Sequence, residues 1–284
     1  MLKPFQLIEP SSLAEASAEL GRLGEAAKVY AGGVELLLLL RQQLAEADYL
    51  VNVKRIPGLD GITWDGQAVR IGATVTHRRL ERDALIREHL PLLAEAERHI
   101  GNIRIRTQGT LGGNLCFADP HADPGTALLV HDASVAVSGS GGRRQLPLEE
   151  FLTGMYTVAL EPDELLADVI VPPLGAGWRT AYLRLEQYYR PTLNVAAAVL
   201  AEDGRLREVR LAAGCVGPKP IRLRELEARL TGAPVVEARA LIDDAAASLE
   251  EALEPVGDLL GSAEYKMHVA RAYLRRALEQ AANG

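Results

Sequence analysis

The sequence predicts an α/β unit followed by an α+β unit, and three observations lead there. Short strand-like runs alternate with helix-period runs over the first fifty residues. Pro172-Pro173-Leu174-Gly175 interrupts the chain after a strand-like run, so a boundary is expected there, dividing it into 1–175 and 176–284. Beyond it come a three-strand meander and then helical periodicity alone, the segregated order of an α+β domain. With 284 residues, 48% of them apolar, the chain has material for about two domains with buried cores.

Ser12, with Glu15 three residues on, forms a capping-box pattern, and Leu13, Ala16, Leu20 and Leu23 then recur on one helical face. Lys28 to Ala31 reads as a strand, the run to Leu44 as a helix and Tyr49 to Val53 as a strand, which puts Gly32-Gly33 at a strand-to-helix turn. Ile62 to Trp64 and Val69 to Ile71, around Asp65-Gly66, spell a hairpin that opens a second subdomain, so the first unit divides into about 1–55 and 56–175. His77 to Arg98 is expected to be helical, with Pro91 at a helix start. Gly101 to Asp123, rich in Gly, Thr, Asn, Asp and Pro, is expected to be a long irregular segment of the kind that carries function. Strands are expected at Ala133 to Val137, Arg144 to Leu146 and Leu165 to Val171. In the second unit, Thr180 to Leu185, Val195 to Ala201 and Leu206 to Ala213 form the meander, with helices at 222–230, 235–253 and 262–281 and Ser262 as an N-cap.

Charge and cysteine content exclude several classes. Lys and Arg total 31 against 38 Asp and Glu, a net −7, which argues against a nucleic-acid binder. The longest apolar stretch, Leu36 to Leu40, is far short of the roughly 20 residues of a membrane helix, and the opening residues lack a signal-peptide apolar region. The expected location is the reducing cytoplasm. Cys116 and Cys215 lie far apart without CxxC or paired-His spacing, so no cysteine-ligated cluster or structural zinc is expected in this chain.

Two glycine loops carry the chemistry. Val29-Tyr-Ala-Gly-Gly-Val-Glu-Leu36 sits where backbone N–H groups and a helix N-terminus can converge on an anion, although it is neither GxGxxG nor a Walker loop. Thr107-Gln-Gly-Thr-Leu-Gly-Gly-Asn-Leu115 lets the backbone approach a ligand closely, with Thr110 and Asn114 offering polar groups and Asp123 a ribose acceptor. Either loop alone also reads as a plain turn. Together they suit an extended dinucleotide laid in a cleft between subdomains.

Ala31-Gly-Gly-Val-Glu-Leu36 and Thr110-Leu-Gly-Gly-Asn114 resemble the two FAD-pyrophosphate loops of the medium, flavin-binding subunit of the molybdenum hydroxylases. That family includes carbon monoxide dehydrogenase, the xanthine dehydrogenases and the aromatic-heterocycle dehydrogenases. Ile71-Gly-Ala-Thr-Val-Thr76, the spacing from Asn114 to Asp123, Tyr182-Leu-Arg-Leu185, Ala212-Ala-Gly214, Pro220-Ile-Arg222 and Ala263-Glu-Tyr-Lys266 extend the resemblance along the whole chain.

The resemblance implies a two-subdomain FAD-binding domain of the PCMH, vanillyl-alcohol-oxidase-like, type. Its C-terminal domain would combine a short antiparallel sheet with helices. It places Val29, Tyr30, Ala31, Gly32, Gly33, Val34, Glu35 and Leu36, with Thr110, Leu111, Gly112, Gly113 and Asn114, around the FAD pyrophosphate. Asp123 would bind the nucleotide part, Leu166 would touch the ring system through its backbone, and Arg184, where relatives often have Lys, would neutralise charge nearby. Pro191 and Val34-Glu35 depart from the family pattern, so side-chain contacts are not carried over to them. The resemblance further implies a small [2Fe–2S] subunit and a large molybdenum-cofactor subunit, as a dimer of heterotrimers, with NAD, a quinone or oxygen as electron acceptor. No catalytic residue and no metal are assigned to this chain. The competing readings are a free-standing FAD-dependent oxidase and a flavin-free assembly module.

Other residues receive local readings. Asp119, His121 and Asp123 alternate as metal ligands do, but Pro120 and Pro124 make a rigid loop that favours turn chemistry and nucleotide contact. Cys116 reads as a small buried hydrophobe. Tyr188, Tyr189 and Arg190 suit either packing or an isoalloxazine edge. His77, His99, His131 and His268 show no local carboxylate-and-nucleophile pattern and receive no role.

Overall fold

The computed structural model describes residues 3–186 and 190–283. The first subdomain is a parallel sheet in which β1 (Gln6–Ile8) and β2 (Ala27–Tyr30) flank β3 (Tyr49–Asn52), connected by α1 (Leu13–Leu23) and α2 (Val34–Gln42). Leu50, Val51 and Asn52 of the central strand are buried. At the start of α1, Ser12 Oγ accepts from Glu15 N, but the Glu15 carboxylate takes the N–H and hydroxyl of Ser11 rather than of Ser12, shifting the expected capping box by one residue.

The second subdomain is a five-stranded antiparallel sheet ordered β4-β5-β10-β6-β7: β4 (Ile62–Trp64), β5 (Val69–Gly72), β6 (Ser134–Gly139), β7 (Gly142–Pro147) and β10 (Leu165–Val171). Between β5 and β6 run α3 (His77–Arg82), α4 (Ala84–His89), α5 (Pro91–Arg98), α6 (Ile103–Gln108), α7 (Leu111–Phe117) and α8 (Pro124–Val130). After β7 come α9 (Leu148–Phe151) and a small pair, β8 (Leu152–Gly154) with β9 (Thr157–Val158).

The C-terminal part is an antiparallel sheet of β11 (Arg179–Glu186), β12 (Pro191–Glu202), β13 (Arg205–Gly214) and β14 (Ile221–Arg222), followed by α10 (Arg224–Leu230), α11 (Ala238–Asp244), α12 (Ala246–Leu253) and α13 (Ala263–Asn283). β12 is buried on both faces, and its two side-chain sets divide by size. Val195, Ala197 and Val199 join the core with α13, while the smaller Ala196 and Ala198 join the core of the second subdomain. That small-residue face lets the sheet sit close against α8. No helix among the described residues is long and apolar enough to cross a membrane.

Several expectations need correction. The irregular segment expected over 101–123 contains α6 and α7, because Asn102 Oδ1 caps Arg104 and Ile105 N–H groups and Thr110 Oγ1 caps Gly113 N; residues read as loop formers are N-caps. The helix expected over 77–98 is three helices, interrupted where Asp83 caps α4 and where Pro91 begins α5. The 235–253 helix is a 3₁₀ turn followed by α11 and α12, which meet at Ala245. The expected three-strand meander gains a fourth strand, β14, too short to show periodicity.

The Arg210 and Arg222 guanidiniums hold the C-terminal end of α8 to this sheet, donating to the carbonyls of Val130 at 3.2 Å and Leu129 at 3.0 Å. His131 follows directly, buried, with Nδ1 3.0 Å from the Pro172 carbonyl, and burial pushes its imidazole down to about 4. A depressed histidine pKa means the unfolded chain takes up a proton that the native state refuses, so stability falls as pH drops from about 6.5 toward 4. In urea titrations at pH 7 and pH 4.5, His131→Gln is expected to lose about 2 kcal/mol less than wild type over this interval.

Candidate functional site

The two glycine loops meet on one cavity of about 490 Å³. Gly33 (φ 71°) is the N-cap of α2 and provides no capping side chain, leaving the first-turn N–H groups of Val34, Glu35 and Leu36 without intrahelical partners; all three residues line the cavity. Opposite them, Thr110, Gly112, Gly113 and Asn114 form the start of α7. Residues 73–77 are zipped to this second loop by backbone hydrogen bonds from Gly112 N to Ala73 O at 2.9 Å, Leu111 N to Val75 O at 3.0 Å and His77 N to Gly109 O at 3.1 Å.

The sequence reading gives the glycines to close approach of a ligand. Two of them also let protein meet protein. A Cβ on Gly32 would lie 2.9 Å from Gly109 Cα and overlap the Gln108 carbonyl, and one on Gly112 would lie 2.6 Å from both Cβ and O of Ala73. The loops therefore brace each other.

The far wall comes from the Asp119–Asp123 turn and the C-terminal sheet. Asp123 is 4% exposed; its Oδ1 accepts from Tyr182 Oη at 2.7 Å and Asn194 Nδ2 at 3.3 Å and lies 3.1 Å from Arg184 Nε. Burial raises the Asp123 pKa, while Arg184 and the two donors oppose that shift. Arg184 also pairs with Glu186. His121 bridges to the C-terminal sheet and helices, with Nδ1 2.9 Å from the Pro191 carbonyl and Nε2 2.9 Å from Asp258 Oδ2, which also pairs with the buried Lys266 at 2.6 Å. Arg190 reaches across the cavity to Asp119 and, at 3.6 Å, to Glu35.

Of the residues singled out in the sequence, Val29, Ala31, Gly32, Gly33, Val34, Glu35, Leu36, Thr110, Gly112, Gly113, Asn114, Asp123, Leu166 and Arg184 line this cavity. Tyr30 and Leu111 do not. The Tyr30 ring packs beneath Gly33 with the Lys54 ammonium 4.2 Å from its centroid, and Leu111 is wholly buried in the core. Tyr188 and Tyr189 lie outside the described residues. Asp119, His121 and Asp123 turn to separate partners, and no group of three or more metal-ligating side chains gathers among the described residues.

The sequence reading missed other members of the wall. His77, given no role in the sequence, lines it with Nδ1 2.7 Å from Glu97 Oε2, both groups buried. Twenty residues separate the pair, and only the packing of α3 on α5 brings them together. Thr74 was likewise unassigned, whereas Arg190, read as packing or a flavin edge, and His121, read as part of a turn or a nucleotide contact, also line it. Cys116 lines the cavity as a neutral thiol, pushed up to about 12 by burial, and Cys215 shifts the same way. Neither thiol is expected to react with a disulfide reagent at pH 8 in the folded protein; both should appear on unfolding.

The donor set suits a dinucleotide. An uncapped helix start faces the space, and two buried polar atoms lining it, the Asn114 Oδ1 acceptor and the Thr74 hydroxyl, have no hydrogen-bond partner among the described residues. Residues 3–174 match the model of the FAD binding domain in molybdopterin dehydrogenase, and residues 184–281 match that of the CO dehydrogenase flavoprotein C-terminal domain. The chain is 33% identical to the carbon monoxide dehydrogenase medium chain of Hydrogenophaga pseudoflava, with 99% of this chain and 98% of that one covered. It is 30% identical to the nicotine 6-hydroxylase medium subunit of Paenarthrobacter nicotinovorans over 99% and 98% of the two chains. A solved structure of carbon monoxide dehydrogenase from Hydrogenophaga pseudoflava, lacking the Mo-pyranopterin moiety of its cofactor, superposes with a TM-score of 0.94 at 34% identity, covering 99% of this chain and 98% of that one. With both halves of the chain matched and the cavity built for a dinucleotide, the protein belongs to the FAD-binding medium-subunit family of the molybdenum hydroxylases.

Proposed function

We propose that this chain holds FAD in the cavity between the glycine loops and carries electrons from a [2Fe–2S] cluster on a small partner subunit to an external acceptor. The organic substrate would be hydroxylated at a molybdenum cofactor on a large partner subunit. The observation that carries the reading is the bracing of Gly32 against Gln108–Gly109 beside the uncapped start of α2, which shapes one continuous anion-binding wall. FAD, when bound, supplies exchange between one-electron and two-electron carriers.

This chain's part is to bind and position. Residues 29–36 and 110–114 would hold the pyrophosphate, Asp123 the nucleotide part, Leu166 the ring system, and Arg184 would balance charge beside it. The Asp123–Arg184–Tyr182–Asn194 cluster ties that wall to the C-terminal sheet, so the unit at 176–284 braces the cofactor held by the unit at 1–175. The assembly is a dimer of heterotrimers in this reading, located in the cytoplasm, with NAD, a quinone or oxygen as acceptor. Gel filtration of the natively purified protein tests it. Iron, acid-labile sulfide and molybdenum should co-elute in two further subunits. A metal-free single chain that oxidises an organic substrate at the expense of oxygen would overturn the subunit reading in favour of a free-standing oxidase.

A further inference from the structure

The stretch of chain at residues 73–77 runs along the second glycine loop, and we propose that its Thr74 hydroxyl and His77 imidazole bind the cofactor's diphosphate directly. The inference rests on the FAD reading above and adds two ligating side chains to the loops. The three backbone hydrogen bonds that join 73–77 to 109–112 make the segment one body with the loop that cradles the ligand. A displacement of either would move both.

Thr74 is 7% exposed, lines the cavity, and its Oγ1 has no hydrogen-bond partner among the described residues. A buried hydroxyl is costly to leave unpaired, and a ligand oxygen in the cavity satisfies it. His77 is 3% exposed and lines the same space. Its Nδ1 lies 2.7 Å from Oε2 of the buried Glu97, a hydrogen bond that fixes the orientation of the ring. The opposite, Cδ2–Nε2, edge lies against Gly109, since a Cβ there would meet Cδ2 at 2.9 Å and Nε2 at 3.3 Å. With Glu97 holding the ring in place, Nε2–H donates to a phosphate oxygen while Thr74 Oγ–H donates to a second one.

The test uses the full-length protein stripped of flavin and titrated with FAD and with ADP, which carries the diphosphate without the flavin. Thr74→Val keeps the shape and removes the hydroxyl. It is expected to weaken both ligands roughly tenfold. The thermal midpoint of the ligand-free protein should stay at its wild-type value, and Thr74→Ser should restore affinity. His77→Gln should give the same loss for both ligands. Wild-type affinity for FAD and ADP in Thr74→Val would overturn the proposal. So would a loss that Thr74→Ser does not restore and that follows a lowered thermal midpoint. Wild-type protein that binds neither FAD nor ADP would overturn the FAD reading itself, and this inference with it.

Discussion

Gly32→Val is expected to yield a folded chain that purifies without flavin. The new Cβ would stand 2.9 Å from Gly109 Cα and overlap the Gln108 carbonyl, and these are backbone atoms that cannot turn aside. The second loop cannot retreat, because Gly109 N donates to Ile105 O at 2.7 Å and Gly109 O accepts from His77 N at 3.1 Å. Overpacking of this kind costs about 1–3 kcal/mol. Taken out of the arrangement that binds the ligand, that is roughly a 5- to 150-fold loss of FAD affinity. Gly141→Ala provides the control: a Cβ there meets nothing within 4 Å. Visible absorbance per chain and FAD titration read both variants. Wild-type affinity in Gly32→Val would show that contact between the loops does not shape the site.

Arg222→Met is expected to cost about 3–5 kcal/mol of stability, because it leaves a buried carboxylate without its cation. Arg222 is 7% exposed and pairs with Glu227 through Nε and, at 3.1 Å, through Nη2. Its Nη1 donates to Leu129 O at 3.0 Å and to Asp132 Oδ1 at 2.8 Å, binding α8 to the C-terminal sheet. Glu227 is 8% exposed and also accepts from Leu211 N at 2.6 Å, so it cannot swing into solvent without breaking that bond. The double variant Arg222→Met with Glu227→Met should recover part of the loss, since an apolar pair needs no counter-charge. Chemical denaturation of the four proteins in this cycle measures the coupling; additive losses would contradict the buried-pair account.

The strands were legible where a short apolar run or a tight turn marks them: Leu165 to Val171 falls on β10 and the hairpin around Asp65-Gly66 is β4 and β5. The helix start at Pro91 was legible too, but the interruptions at Asp83 and Ala245 were not, because neither residue is a proline or glycine and neither is followed by one. Caps were read as loop formers for the same reason: Asn102 and Thr110 have the composition of turns and start helices instead. At the site, contiguous motifs were visible and assembled contacts were not. The two glycine loops announce themselves locally, whereas His77 with Glu97, His121 with Asp258 and Arg190 with Glu35 join residues that are distant in sequence. Nothing in the local pattern of either partner marks such a pair.

Identification of the chromophore on the native protein tests the central claim most directly. The protein is purified from its own source in its natural assembly and denatured, and the released compound is separated and quantified against chain concentration. The account predicts FAD at about one per chain, held by the loops at 29–36 and 110–114. Native protein that releases no flavin, and that binds none when FAD is supplied, would contradict it.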